Sequence, residues 1–133
     1  MTAMSPIPEF LKAFSARRID RLEPFLDEEA DYGMEGFDPV VGRREILAYW
    51  RRMFQAHDVV RMSLAREVRD GDMVVAEQRQ LYIAARRPPL VLDGVAVYEL
   101  REGRVRRWRD GGRAQDLPPE TADLWRRLRR ARW

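Results

Sequence analysis

The chain contains 133 residues, with 25 Lys+Arg against 22 Asp+Glu for a formal net charge of +3, no cysteine and a single histidine, His57. This length predicts one domain, and 45% apolar residues suffice for a core, which excludes a disordered chain. Disulfides and cysteine nucleophiles are excluded, and with so few nitrogen or sulfur ligands we expect no metal site. Because no apolar run approaches the roughly 18 residues of a membrane span and the N-terminus lacks signal-peptide features, we expect a soluble, cytoplasmic protein with no membrane partner.

Hydrophobic periodicity predicts three helices in the first part of the chain. The first follows Ser5 and Pro6, residue types that are tolerated at a helix start. The second begins at Asp20, which with Glu23 would form a carboxylate version of the capping box. An irregular stretch over residues 31–41 then leads to Gly42, after which a third helix extends to about residue 57. The apolar positions that repeat at helical spacing are Ile7, Phe10, Leu11 and Phe14, then Ile19, Leu22, Phe25 and Leu26, then Ile46, Leu47, Trp50, Met53 and Phe54.

From Asp58 the hydrophobic period changes to two, which predicts four consecutive strands. Asp70-Gly71 is the strongest hairpin signal, and Glu102-Gly103 supplies a second turn. The expected strands cover residues 60–70, 73–84, 91–100 and 105–110. Pro118-Pro119 then opens an arginine-rich C-terminal helix.

Helices followed by a meandering antiparallel sheet indicate an α+β fold. Such a sheet can bury one face by curling around the helices, which leaves a pocket between them. With no repeat or linker, residues 1–133 form one predicted domain, with a core over residues 7–113 and a C-terminal helical extension over residues 114–133. Every cation except Lys12 is an arginine, but the acidic residues are nearly as numerous, so we expect no nucleic-acid partner.

The run GVAVYELREGRVRRWRD, from Gly94 to Asp110, resembles the end of a SnoaL-like or limonene-epoxide-hydrolase-like domain of the nuclear transport factor 2 superfamily. The order of elements agrees from Ile7 to Asp110, and Gly42-Arg43 before the third helix supports the resemblance. The resemblance implies a cone-shaped fold in which a curled antiparallel sheet wraps around the N-terminal helices and encloses an apolar pocket. It also implies a homodimer formed through the outer face of the sheet.

The resemblance further locates candidate site residues. Of the epoxide-hydrolase set, Asp110 and Tyr32 are matched, whereas Gln78, Gln80 and Met34 stand where that family has Arg, Asp and Asn. Because glutamine does not titrate, efficient epoxide hydrolysis by that mechanism is not expected. The ketosteroid-isomerase set is also incomplete, since its catalytic Tyr and two Asp positions correspond to Phe10, Met34 and Ala96.

A single acid can remove a proton and return it elsewhere, as in isomerisation, cyclisation or dehydration, whereas hydrolysis generally uses two acid/base groups. We therefore predict a cofactor-free acid/base enzyme that acts on a hydrophobic natural-product intermediate, with Asp110 and Tyr32 as catalytic residues. The first alternative is a non-catalytic small-molecule-binding or assembly domain. The second is an epoxide hydrolase with an altered catalytic set. The predicted substrate-binding residues are Gln78, Gln80, Tyr82, Met34, Trp50 and Trp108.

Several of these residues have competing structural interpretations. Asp110 could bond the turn that follows it, both tryptophans could belong to the core, and His57 is expected to end the third helix. Burial would raise the pKa of Asp110 and a nearby arginine such as Arg66 or Arg106 would lower it, and the sequence leaves both directions open.

The outer sheet face also suggests a partner. Its apolar residues on the second strand are Val75, Leu81 and Ile83. A face this apolar is expected to be covered by a second subunit.

Overall fold

The computed structural model describes residues 4–34 and 38–110, so the expected C-terminal helix lies outside the described residues. Within that part, helices and a six-stranded sheet confirm the α+β class. No helix in the described ranges is long and apolar enough to cross a membrane. The elements are α1 (Ile7–Ser15), α2 (Ile19–Leu22), a 3₁₀ turn (Glu23–Phe25), β1 (Leu26–Met34), β2 (Val40–Val41), α3 (Arg43–Gln55), β3 (Val59–Asp70), β4 (Met73–Ile83), β5 (Leu90–Arg101) and β6 (Arg104–Asp110).

The helices α1 and α3 form close to their predicted positions. At the start of α1 the amide of Ile7 donates a hydrogen bond to Ser5 Oγ at 3.1 Å. The predicted capping box is wrong, because α2 begins at Ile19 and has no side-chain cap. The Asp20 carboxylate instead accepts two hydrogen bonds from the Arg18 guanidinium, at 2.9 and 3.1 Å. This bidentate ion pair occupies the oxygens that would have capped the helix.

The predicted irregular stretch is wrong for residues 31–34, which belong to β1. This strand pairs in parallel with β6, where Tyr32 lies opposite Trp108, and β2 pairs antiparallel with β1. The sequence of β1, LDEEADYGM, is acidic and has weak strand propensity. Arginines of β5 and β6 compensate its charge, as in the 2.6 Å contact between Asp27 and Arg101. Tertiary charge pairing therefore supports a strand that the local pattern does not indicate.

The strand order is β2-β1-β6-β5-β4-β3, and because β1 and β6 are parallel, the sheet is mixed rather than wholly antiparallel as predicted. The two predicted hairpin turns connect β3 to β4 and β5 to β6. In the second turn Glu102 and Gly103 have φ angles of 52° and 78°, which suits the twist of the flanking strands. The sheet curls without closing and packs its concave face against α1 and α3.

An aromatic cluster fills the space between the helices and the concave face. The ring of Phe14 lies edge-on to Trp50, Phe54 and Trp108, with centroids 5.1, 5.1 and 5.7 Å away. Tyr98 stacks on Trp108 with a centroid distance of 5.2 Å. Each such aromatic pair is worth about 0.5–1.5 kcal/mol beyond the burial of its area. The cluster therefore holds both helices at a fixed distance from β5 and β6, the strands that carry Tyr98 and Asp110.

The convex face carries Val75, Leu81 and Ile83, as strand alternation predicts. Val75 is already buried within the chain, and the other two are half-buried. The same face has two cross-strand ion pairs, Arg66–Glu77 at 2.9 Å and Arg79–Asp93 at 2.6 Å. This face is thus less apolar than its sequence indicates, and the homodimer remains a prediction.

Candidate active site around Asp110

Asp110 ends β6 and points from the concave face into the protein. A bulge in β6 opposite Glu99 and Leu100 sets the direction of the side chains, and Trp108 and Asp110 are both buried after it. On the two neighbouring strands the residues in register with Asp110 are Ala96 of β5 and Met34 of β1. Only 7% of Asp110 is exposed, so its carboxyl group has lost nearly all contact with bulk water.

Within the described residues, side chains of β4 and β6 hold the Asp110 carboxylate, and the turn expected after Asp110 lies outside them. Oδ1 accepts hydrogen bonds from Trp108 Nε1 at 3.2 Å and from Gln78 Nε2 at 3.5 Å. Oδ2 accepts one hydrogen bond, from Gln80 Nε2 at 3.0 Å. Since each carboxylate oxygen offers about two acceptor positions, Oδ2 keeps one position for a further donor.

Two tyrosines orient the glutamines that hold Asp110. The hydroxyl of Tyr98 donates to Gln78 Oε1 at 2.9 Å, and the hydroxyl of Tyr82 donates to Gln80 Oε1 at 2.5 Å. With each amide oxygen facing a hydroxyl, each amide nitrogen faces the carboxylate. The glutamines therefore have a defined function here, which is to present N–H donors to Asp110 in a fixed direction.

Burial decides the protonation of Asp110. Loss of water raises its pKa to about 6, and the hydrogen bonds from Gln80 and Trp108 oppose this rise. The two arginines that could have lowered the pKa are occupied elsewhere. Arg66 binds Glu77 on the convex face, and Arg106 binds the Glu29 carbonyl and Asp31. The question that the sequence left open is therefore resolved in favour of desolvation.

Tyr32 lies beside Asp110 on an aromatic surface. Its ring is 4.7 Å from Trp108, 5.2 Å from Trp50 and 6.1 Å from Tyr49, measured between centroids. Burial and then the charge of Asp110 raise the pKa of Tyr32 well above 10, against the opposing effect of the nearby Trp50 indole. Its hydroxyl makes no hydrogen bond with the described residues and stays protonated, so it can donate to a ligand. Trp50 Nε1 is buried and has no partner that meets hydrogen-bond geometry within the same residues.

The chain has four tyrosines, and all of them surround this site. Asp110 raises the pKa of Tyr32, Tyr82 and Tyr98 by its charge, and Tyr49 acts in the same way on Tyr32 and Tyr82. Sequence reasoning missed Tyr98 and Tyr49. The position of Tyr98 opposite Trp108 in the β5–β6 ladder follows from strand alternation, so that residue could have been found. Tyr49 lies on the partly exposed side of α3, and no sequence signal points to it.

The remaining predicted residues fall in three groups. Trp50 and Trp108 are core residues, and Trp108 also binds Asp110. The backbone of Met34 lies next to Asp110 in the ladder, but its side chain is outside the described part. His57 follows α3, where its Nδ1 lies 2.8 Å from the Met53 carbonyl oxygen. Within the described residues no group of three or more histidine, aspartate or glutamate side chains could hold a metal ion.

The family model for the SnoaL-like domain matches residues 7–108, so the chain belongs to this family. This confirms the resemblance carried by the β5–β6 sequence. Comparison with curated proteins finds no sequence match.

Solved structures share the fold at low sequence identity. An LEH-like epoxide hydrolase from M. tuberculosis is 22% identical with a TM-score of 0.74, and the alignment covers 94% of this chain and 92% of that chain. TerC, crystallised with polyporic acid, is 18% identical with a TM-score of 0.70 over 82% of this chain and 89% of its own. A candidate SnoaL-like polyketide cyclase from Jannaschia sp. CCS1 is 15% identical with a TM-score of 0.64 over the same shares, 82% and 89%. At these identities the likeness shows the nuclear transport factor 2-like fold alone.

Proposed function

We propose that this protein is a cofactor-free acid/base enzyme of the isomerase, cyclase or dehydratase type that acts on a hydrophobic natural-product intermediate. The observation that carries the proposal is the buried Asp110, held by three N–H donors and with a pKa raised to about 6. At pH 7 a group with that pKa is about nine-tenths ionised, so it can accept a proton and still release it. An ordinary exposed carboxylate is a much weaker base.

The proposed reaction uses Asp110 and Tyr32 on one substrate. Asp110 Oδ2 takes a proton from a carbon next to a carbonyl group, and Tyr32 donates a hydrogen bond to the carbonyl oxygen as negative charge develops there. The protonated Asp110 then returns the proton to another atom of the substrate. Isomerisation, ring closure and loss of a hydroxyl group as water all need this transfer, and none of them consumes a second acid/base side chain.

The glutamines favour this chemistry over epoxide hydrolysis. Opening an epoxide with water requires one group that activates water and another that protonates the leaving oxygen, and each contributes on the order of 10²–10⁴ in rate. Gln78 and Gln80 cannot titrate. Both point their amide nitrogens at Asp110 and accept a tyrosine hydroxyl on their amide oxygens, so they orient Asp110 and do not activate water.

The aromatic surface around Tyr32 supports a largely apolar, planar substrate. Tyr49 is 40% exposed and Tyr32 is half-buried, so their rings can contact a ligand, whereas Trp50 and Trp108 are buried and pack against the Tyr32 ring from within the protein. Aromatic rings of this kind bind flat unsaturated molecules by stacking and by burial of apolar area. A substrate with an enolisable carbonyl on a fused-ring or similarly rigid framework fits both the surface and the acid/base pair.

Hydrogen–deuterium exchange tests the proposal without knowledge of the natural substrate. The protein is added in D₂O to a rigid aromatic ketone such as 2-tetralone, and loss of the α-hydrogen signal is followed by proton NMR. We expect exchange faster than in buffer, with a rate that rises through about pH 6 as Asp110 ionises. Asp110→Asn should lower the rate by roughly 10²-fold or more.

The matched control is Asp93→Asn, which removes an exposed carboxylate on the convex face. This variant should retain the full exchange rate. If the wild-type protein does not speed the exchange of any tested ketone above its rate in buffer, while ligand-observed NMR shows that the ketone is bound, the protein is a binding module. Equal rates for Asp110→Asn and the wild type would also reject the proposed role of Asp110.

A further inference from the structure

A basic groove follows α3 on the side of the protein that contacts α2, and none of its residues belongs to the Asp110 site. One part has a volume of about 360 Å³ and includes Ile19, Arg43, Arg44 and Arg51. A second part of about 310 Å³ shares Ile19 and Arg51 and adds Arg17. Four arginines and one glutamate line the two parts together. The groove is thus strongly cationic although the chain as a whole is nearly balanced.

Two of these arginines, Arg44 and Arg51, have no hydrogen-bond or ion-pair partner among the described residues. Arg43 donates to the Leu26 carbonyl and lies 3.7 Å from Glu28, and Arg17 donates to the His57 carbonyl. Arg44 and Arg51 are exposed and make no hydrogen bond or ion pair with the described residues. Cations that have no partner among the described residues are available to bind an anionic partner.

The spacing of the free arginines restricts that partner. Arg44, Ala48 and Arg51 fall on one line along α3, because positions i, i+4 and i+7 share a helix face. Seven residues at a rise of 1.5 Å separate the two arginines by about 10.5 Å along the axis. Ala48 between them has only a methyl group, so another backbone can approach closely at this point.

We infer that the groove is a docking site for an acidic α-helix of a partner protein, with carboxylates of the partner helix spaced i and i+7 to match Arg44 and Arg51. An α-helix reproduces the spacing of about 10.5 Å because both helices have the same rise. A nucleic acid fits less well, since Phe54, the aromatic residue that lines the groove, is buried and offers no face for stacking bases. Leu47, an apolar residue that lines the groove, is also buried, so the charges of the arginines and their spacing determine which partner binds.

The probe for this site is a fluorescein-labelled, stapled alanine-rich helical peptide with two glutamates seven residues apart. A second peptide of the same composition has the glutamates five residues apart, which places them on different faces. Fluorescence anisotropy at low ionic strength measures binding to the full chain. We expect the matched peptide to bind at least about fivefold more tightly than the mismatched one and to weaken as salt is added.

Charge-reversal variants test whether Arg44 and Arg51 are the residues that bind the peptide. Arg44→Glu/Arg51→Glu should weaken binding of the matched peptide by about tenfold or more, and a peptide with two lysines at the same spacing should bind this variant better than it binds the wild type. The control, Arg61→Glu/Arg87→Glu, changes the net charge equally at exposed positions outside the groove and should have a much smaller effect.

Four results would overturn the inference. They are absence of binding by the matched peptide, equal binding of both peptides, equal losses in the two double variants, and tighter binding of a single-stranded oligonucleotide that competes at Arg44 and Arg51. Circular dichroism of each variant establishes that it is folded. A variant that fails to fold is replaced by Arg44→Gln/Arg51→Gln, which removes the same charges without reversing them and should weaken the matched peptide in the same direction.

Discussion

Replacing Asp110 with asparagine should raise the free energy of unfolding relative to that of the wild type as pH rises from acid to neutral. The pKa of Asp110 is about 6 in the folded chain, against about 3.9 for an aspartate in an unfolded chain. A difference of about two pKa units corresponds to about 3 kcal/mol. Asparagine has nearly the same shape and never ionises, so it avoids the cost of burying the charge, and the cost of turning its amide nitrogen towards one of the three N–H donors does not vary with pH.

The sign of the pH dependence follows from which state binds the proton. Between about pH 4 and pH 6 the folded chain holds the Asp110 proton and the unfolded chain has released it, so this group lowers the free energy of unfolding as pH rises through that window. Below about pH 4 both states are protonated and the cost is absent. The free energy of unfolding of Asp110→Asn minus that of the wild type should therefore increase by about 3 kcal/mol from about pH 3 to about pH 7.

Urea unfolding, followed by tryptophan fluorescence and by circular dichroism at several pH values, measures this difference. Because other titrating groups are common to both proteins, their contributions cancel when the two curves are subtracted. Asp93→Asn is the control. Its free energy of unfolding minus that of the wild type should decrease as pH rises, since the Arg79 guanidinium holds the pKa of Asp93 below its usual value. A stability difference between Asp110→Asn and the wild type that does not change with pH would refute the reasoning, because it would mean that the Asp110 carboxyl is solvated.

Three further predictions concern the core, the second site residue and assembly. Phe14→Ala should lower the free energy of unfolding by about 3–5 kcal/mol, because Phe14 is fully buried in the aromatic cluster; a loss below about 1 kcal/mol in urea unfolding would contradict that packing. Tyr32→Phe should slow α-hydrogen exchange by about tenfold or less, since one neutral hydrogen bond contributes about 0.5–1.5 kcal/mol, and a loss as large as that of Asp110→Asn would make Tyr32 a proton carrier instead. Sedimentation should show a homodimer at about tens of micromolar, held through the face of Leu81 and Ile83; a monomer would exclude this assembly.

Local patterns in the sequence determined most of the elements. The alternation in β4 placed Gln78, Gln80 and Tyr82 on one face and Val75 on the other, because successive side chains of a strand point in opposite directions. The Glu102-Gly103 hairpin follows from turn chemistry, and α3 from its apolar stripe. These features depend on residues that are close together along the chain, which is why the sequence alone was sufficient.

Tertiary structure alone decided the pairing of β1 and the chemistry of Asp110. The acidic β1 becomes a strand because arginines of β5 and β6, distant in sequence, neutralise it. The pKa of Asp110 depends on how much water the surrounding elements remove and on where Arg66 and Arg106 point, and both are properties of the assembled sheet and helices. Electrostatic energy depends on the distance and solvation of all nearby groups, so spacing along the chain identified Asp110 as a candidate and could not determine whether it gains or loses its proton.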